Sequence, residues 1–384
     1  MEADKSRTWA EIDLSSLEHN YRTLRALLPA GCRFLGVVKA DAYGHGAVPV
    51  ARRLEELGAD YLAVACLDEA RRLRQAGLRA PILILGITPA VRAAELADLG
   101  VTQTVGDLDY ARALSAALAG TGKRLTIHIK ADTGMSRLGF LCDEAHCPPA
   151  AEAIAAAAAL PGLAAEGIFT HFADADGSGD AYTMLQFTRF LDLLAALEAR
   201  GRSFPLRHCA NSAAVLRYPC THLDMVRPGI ALYGHYPDPC CEGRDGPGLA
   251  PVMRLYTRVA AVRTLPGGAS VSYGCTYTLE GERTLAVLPI GYADGLHRLL
   301  SNRGSVLLGG KRCPIVGRVC MDLCMADVTG LGVRPGDAAE VFGTALPLEE
   351  QAGRAETISY ELLCAVASRV PRIYPDGTTC SAGA

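Results

Sequence analysis

The 384-residue sequence predicts an α/β protein, a (β/α)8 TIM barrel followed by a mostly antiparallel β-domain. Two features of its pattern carry that reading. Through the first 230 or so residues, short apolar runs rich in β-branched side chains alternate with amphipathic stretches, and eight such runs can be counted. Past Tyr233 the texture changes to turn-rich sequence and then to short strand patterns punctuated by Gly and Pro, with almost no helix. Composition agrees, since half of the residues are hydrophobic, enough to bury the cores of two domains.

Taken in order, the eight expected barrel strands are Phe34–Lys39, Tyr61–Cys66, Ile82–Gly86, Val101–Val105, Leu125–Lys130, Ala165–His171, Leu206–Asn211 and Met225–Gly229. Helix patterns lie between them at Ala47–Leu57, Leu67–Gln75, Pro89–Leu99, Leu108–Leu118, Cys147–Leu160 and Tyr182–Ala199. Residues 235–248 read as a linker. The runs Val252–Leu265, Thr284–Pro289, Arg303–Leu308, Lys311–Val319, Cys324–Val328 and Ala338–Phe342 then read as antiparallel strands. Thr8–Ile12 is strand-like too. With eight barrel strands already assigned, it is expected to pair with the β-domain, giving a barrel over 13–240 and a β-domain over 241–384 joined by residues 1–12.

Composition also excludes partners. A formal charge of −3 with scattered signs gives no basic stripe for nucleic acid or an anionic membrane. The first residues are charged and no run of about 18 apolar residues occurs, so a cytoplasmic protein is expected. The fourteen cysteines include no Cys-x-x-Cys pair and read as reduced, small core hydrophobes. No catalytic metal is expected.

In a barrel, chemistry gathers at the carboxyl ends of the strands. Lys39 ends the first expected strand, Lys130 the fifth, His171 the sixth, Asn211 the seventh, and Arg227 stands in the eighth. A lysine closing an apolar run is poorly solvated, which favours the free amine that attacks carbonyls. After the seventh and eighth strands come Asn211-Ser212 and Gly229-Ile230, a hydroxyl, an amide and backbone N–H groups suited to an anion. An amine beside a phosphate cradle suggests pyridoxal 5'-phosphate, held as a Schiff base. Gly-x-Gly-x-x-Gly and Walker-type patterns are absent.

A set of motifs then extends the reading: Val37-Val-Lys39-Ala-Asp-Ala-Tyr43-Gly-His-Gly, Lys130-Ala-Asp-Thr-Gly-Met135-Ser-Arg137-Leu-Gly, Thr170-His171-Phe, Ala210-Asn211-Ser212-Ala, Val226-Arg227-Pro-Gly229-Ile230, Val271-Ser-Tyr273-Gly, Gly291-Tyr292-Ala-Asp-Gly, Gly317-Arg-Val-Cys-Met321-Asp322 and Ile358-Ser-Tyr360-Glu. In this order they resemble the alanine racemases, over essentially the whole chain. The resemblance implies pyridoxal-phosphate-dependent racemisation of L-alanine to D-alanine, a cell-wall peptidoglycan precursor, by a homodimer with shared active sites.

Residue roles follow from the same resemblance. Lys39 would hold the cofactor and exchange the α-proton on one face, and Tyr273 of the partner subunit would do so on the other. A phenol with a reference pKa of about 10 needs neighbours such as His171 to favour its phenolate. Arg227 would face the pyridine nitrogen, and its fixed charge opposes protonation there; His208 could orient it or be a core histidine. Tyr43, Ser212, Gly229, Ile230 and Tyr360 would bind the phosphate, with His171 and Asn211 in the cofactor's surroundings. Arg137 and the backbone of Met321 would hold the substrate carboxylate. Lys130 matches a position that some members carbamylate, which would turn its repulsion of Arg137 into a pair. Leu323 departs from the family's usual glutamine. Serine or broader specificity stays open as an alternative. A pyridoxal-phosphate carrier would lack the β-domain, and a decarboxylase of this class would carry a cysteine donor and acidic groups that find no match.

Overall fold

The structure is a computed structural model in which residues 5, 7–242, 246 and 248–375 are described. Residues 243–245 and 247 of the expected linker lie outside the described residues. The chain forms two compact units: Leu17–Ala42 with Ala47–Ala250, and Met1–Ser16 with Tyr43–Gly46 and Pro251–Ala384.

The first unit is the barrel. Its strands are β1 (Arg33–Val37), β2 (Tyr61–Val64), β3 (Ile82–Ile84), β4 (Thr102–Val105), β5 (Leu125–Asp132), β6 (Leu163–Phe169), β7 (Leu206–His208) and β8 (Met225–Val226). All run parallel in the order β8-β1-β2-β3-β4-β5-β6-β7. The ring is nearly closed by bonds from Asp224 N to Arg207 O at 3.1 Å and from Arg227 N to Ala210 O at 2.9 Å. Every residue of β2 and β3 is buried, as expected of strands covered on both faces. The surrounding helices follow the 3.6 period. Leu108–Leu118, for instance, starts where Asp107 accepts from Tyr110 N at 2.6 Å and buries Ala111, Leu114 and Leu118 on one face.

Local differences from expectation have local causes. β1 stops at Val37 because Ala40, Asp41, Ala42 and Tyr43 all take positive φ, between 52° and 55°. The expected helix Pro89–Leu99 breaks into a 3₁₀ turn, Ala90–Arg92, and a helix, Ala93–Asp98.

The second unit carries antiparallel sheets. The largest orders its strands as Lys311–Pro314, Ser305–Leu308, Ala338–Phe342, Met253–Arg258, Thr8–Ile12 and Arg372–Ile373. Thr8–Ile12 pairs antiparallel with Met253–Arg258 and parallel with Arg372–Ile373. The expected single run Val252–Leu265 is two strands. At Val259 and Ala260 the backbone switches partners, bonding first to Asp337 O and then to Val287 O, and Ala261–Leu265 joins Arg283–Leu288 and Cys324–Asp327 in a second sheet. The expected strand Lys311–Val319 stops at Pro314, which has no N–H to continue a ladder. Two helices, Leu348–Arg354 and Ser359–Ala365, interrupt the strand texture. The first buries Leu348, Gln351 and Ala352 at helical spacing.

Candidate active site

The carboxyl end of the barrel gathers cations. Lys130, on β5, is buried with its Nζ 5.4 Å from the Phe169 ring centroid, and Arg227 lies 5.3 Å from the same centroid. Burial, then Arg137 and Arg227, push the Lys130 amine down to about 8, with Lys39 adding to the effect and Asp132 opposing it. Arg137, Arg227 and Lys39 thus all act on the one buried amine.

Arg227, just past β8, is the most tightly held of them. Its Nη1 donates to His208 Nδ1 at 2.9 Å, and its Nη2 to Thr170 O at 2.9 Å, Cys209 O at 3.1 Å and His171 Nδ1 at 3.2 Å. The described bonds use only the terminal nitrogens and leave Nε–H for another acceptor. Because guanidinium only donates, both imidazoles accept through Nδ1 and, when neutral, carry their proton on Nε2. Burial and then Arg227 hold His171 well below the usual histidine range. His171 is set in place by buried Gln186, whose Nε2 donates to His171 O at 3.1 Å while its Oε1 accepts from Ala173 N at 2.8 Å.

Lys39 follows β1 and immediately precedes the left-handed run Ala40–Tyr43. That run is pinned on both sides: Glu69 accepts from Ala40 N and Ala65 N, each at 2.7 Å, and Asp41 accepts from Ala47 N at 2.8 Å. Across the barrel end, Asn211 caps the short helix Ser212–Arg217 by accepting from Ala214 N at 3.0 Å. Ser212 Oγ accepts from Gly229 N at 2.8 Å and Ala231 N at 3.3 Å, so its hydroxyl proton is left to donate and Ile230 lies between the two bonded amides. Arg137 follows a loop in which Asp132 accepts from Gly134 N and Ser136 N.

The remaining expected residues belong to the other unit. Tyr43 is buried, its phenol pushed up by that burial, and its ring centroid is 6.0 Å from that of Tyr360. Tyr273 is 72% exposed in a turn where Ser272 and Cys275 take positive φ. The turn is enforced: Ser272 Oγ donates to Arg318 O at 2.7 Å, and a Cβ on Gly317 would stand 2.8 Å from Ser272 Cβ. Strain of this kind persists where the surroundings over-determine it. Met321 is 54% exposed in a tight loop, with Ala293 N donating to Met321 O at 3.0 Å. A Cβ on Gly291 would lie 2.3 Å from that oxygen, so only glycine fits. The loop is anchored by the buried Asp294 carboxylate, which takes both Arg7 nitrogens at 2.7 and 2.9 Å and Arg369 Nε at 2.8 Å. Leu323 is exposed in the same loop.

Two residues that sequence reasoning passed over stand beneath this site. His128 and Glu166 continue inward from His208; for His128, a polar side chain at alternate positions of an apolar barrel strand was the signal available. Among the described residues no group of three His, Cys, Asp or Glu side chains could hold a metal ion, and no helix is long and apolar enough to cross a membrane.

Residues 12–237 match the family model of the alanine racemase N-terminal domain and residues 252–374 that of the alanine racemase C-terminal domain. The chain is 48% identical to the alanine racemase of Desulforamulus reducens over 96% of this chain and 99% of that protein, and 49% identical to that of Desulfovibrio desulfuricans over 95% and 97%. Among solved structures, alanine racemase from D-cycloserine-producing Streptomyces lavendulae superposes with a TM-score of 0.91 at 39% identity, covering 97% of each chain. With both halves matched and full-length relatives well above a third identical, the chain belongs to the alanine racemase family of isomerases.

Proposed function

We propose that this protein interconverts L-alanine and D-alanine, as the names of its relatives suggest, and that it does so with pyridoxal 5'-phosphate. The observation that carries the reading is Arg227, fixed between two histidines and close to the buried amine of Lys130 and to Arg137. Such a cluster suits a ligand bearing a phosphate and a carboxylate. The residues fit the cofactor. Ser212 Oγ and the N–H of Ile230, on the loop that the Gly229 N–H ties to Ser212 Oγ, would hold its phosphate with the hydroxyls of Tyr43 and Tyr360, the Nε–H of Arg227 would meet its ring nitrogen, and His171 and Asn211 would border it. When bound, the cofactor supplies an electron sink that acidifies the substrate's Cα–H.

The chain's own groups then move the proton. Lys39 Nζ would hold the cofactor and exchange the α-proton on one face. Tyr273 of the partner subunit would exchange it on the other, as a hydroxyl on an exposed, rigid turn is free to do in a homodimer with shared sites. His171, its Nδ1 occupied by Arg227, presents Nε2–H, a donor that favours a phenolate over a phenol. Arg137 and the Met321 backbone would hold the substrate carboxylate. A Lys130 amine lowered to about 8 is partly free near neutrality and open to carbamylation; the carbamate would pair with Arg137. The product would feed peptidoglycan assembly in the cytoplasm.

The test is purified protein with pyridoxal phosphate and L-alanine, D-alanine being followed by chiral chromatography, with borohydride reduction and peptide mapping for the cofactor's attachment. D-alanine formation and a label on Lys39 are expected. A label elsewhere, or gas release in place of D-alanine, overturns the reading. A higher kcat/KM for L-serine than for L-alanine would move the assignment to the serine alternative, because a pocket for a methyl rejects an added hydroxyl only about 10²-fold.

A further inference from the structure

Below Arg227 the barrel interior holds an unbroken polar chain. His208 Nε2 lies 3.0 Å from His128 Nδ1, and His128 Nε2 lies 3.2 Å from Glu166 Oε2. Tyr61 OH donates to the same Glu166 oxygen and is 3.4 Å from Thr102 Oγ1. Its direction is set from both ends, by Arg227, which only donates, and by the Glu166 carboxylate, which only accepts. Arg227 only donates, so His208 accepts at Nδ1 and donates from Nε2; His128 then accepts at Nδ1 and donates from Nε2 to the carboxylate. Both rings are fully buried and neutral, held below the usual range chiefly by that burial. Glu166 stays below the usual carboxylate range through the His128 bond, helped by Tyr61 and Arg33.

The backbone is built around this chain. Between β5 and β6 the register slips: Ile127 faces Ala165 and His128 faces Gly167, leaving Glu166 as the extra residue of a bulge, which re-aims a side chain. At Gly167 a Cβ would lie 2.8 Å from three atoms of the His128 ring, so the imidazole occupies the space that a side chain would need.

We propose that Glu166 is a positioning residue for Arg227. Through His128 and His208 it fixes which ring nitrogen carries each proton, and so keeps an acceptor under Arg227 Nη1 and the guanidinium in one orientation. The consequence for catalysis rests on the proposed function, in which Arg227 meets the cofactor ring. Without the carboxylate, His128 Nε2–H has no acceptor, and Arg227 is left as the one end that holds the rings against the opposite tautomer. An Nδ1–H on His208 would then oppose an N–H of Arg227, donor against donor.

The experiment is ¹⁵N-histidine NMR on the full chain, without and with pyridoxal phosphate, on the wild type, Glu166→Gln, Glu166→Leu and Gly167→Ala, with His128→Asn and His208→Asn for assignment. The wild type is expected to show Nε2–H tautomers at both rings. Glu166→Gln, whose amide oxygen still accepts, should keep them and most of the activity. Glu166→Leu should lose them, shift the pH midpoint of the bound cofactor's absorbance and lower kcat about tenfold with KM little changed. Gly167→Ala, which leaves the carboxylate in place, should disturb the same signals if Glu166→Leu does not fold. Unchanged tautomers in Glu166→Leu and Gly167→Ala, or Nδ1–H tautomers in the wild type, overturn the proposal. Absence of racemisation in the wild type would sink the proposed function and leave the tautomer result standing.

Discussion

Arg227 and Tyr273, two side chains to which the same chemistry is assigned, are held by opposite means. Arg227 is buried, with four hydrogen-bond acceptors around its terminal nitrogens. Tyr273 projects from the surface of the β unit, on a turn with positive φ at Ser272 and Cys275 that packs too closely against Gly317 to leave room for a Cβ there. In the barrel, a side chain with a proposed role is also part of the fold, so substitutions there should cost stability and activity together. On the β unit the exposed Tyr273 side chain contributes little to the fold, so its removal should affect the proposed activity and leave stability nearly unchanged.

The largest effects should separate these two regions by complementation. Lys39→Ala and Tyr273→Phe should each lower kcat by roughly 10²–10⁴-fold, the range of general acid–base catalysis. Tyr273→Phe should leave unfolding within about 0.5 kcal/mol of the wild type, as for exposed positions. Verified mixed dimers of the two inactive chains should recover activity, since one of their two sites holds both bases; persistent inactivity would count against sharing. Gln186→Leu tests the other side of the comparison. It strips partners from His171 O and Ala173 N, so denaturant melts should fall by roughly 1–3 kcal/mol while kcat drops as well.

A pH experiment sharpens the barrel side. Below about pH 8, Lys130 is charged in both the folded and the unfolded chain, and the folded chain bears the full cost of burying it. As pH rises from there toward the ordinary lysine value of 10.5, the folded chain sheds this proton while the unfolded chain keeps it, and the cost disappears. Lys130→Met in carbonate-free, cofactor-free protein should therefore gain stability on the order of 3 kcal/mol at neutral pH. That gain should shrink as pH climbs through the window. A difference between the two chains that does not vary with pH would contradict a charged, buried amine. Smallest of all, Leu323→Gln should alter KM for alanine by a few-fold without moving the melting temperature, because Leu323 is exposed.

The barrel strands were legible because strands buried on both faces are written as continuous apolar runs, and Lys39, Lys130, His171 and Arg227 stood out as polar residues at or just beyond the ends of those runs. His208 was readable as a choice between a core histidine and an orienting one, and it has features of both, being fully buried and bonded to Arg227 at 2.9 Å. Glu166 and Gly167 were not legible. Their meaning depends on a register slip between β5 and β6, which are separated in sequence by a loop and the helix Cys147–Ala158, and pairing at that range leaves no local trace. The split of Val252–Leu265 was hidden in the same way, since the partner strands Ala338–Phe342 and Arg283–Leu288 decide where it turns. The Tyr273 turn could be suspected from Gly274, but Ser272 at φ 64° has no sequence signature of its own.

The run from Ala40 to Tyr43 constrains which sequences this protein can accept. Its backbone lies where an L-residue pays roughly 1–2 kcal/mol and a β-branched one more. At Ala40, which is exposed, Gly, Asn or Asp should therefore be tolerated or even stabilising, whereas Val, Ile, Thr and Pro should be excluded although space is available. At Ala42, fully buried, the same rule leaves Gly alone. A saturation library over these two positions would thus yield a set of viable residues ranked by backbone handedness instead of by hydrophobicity or size.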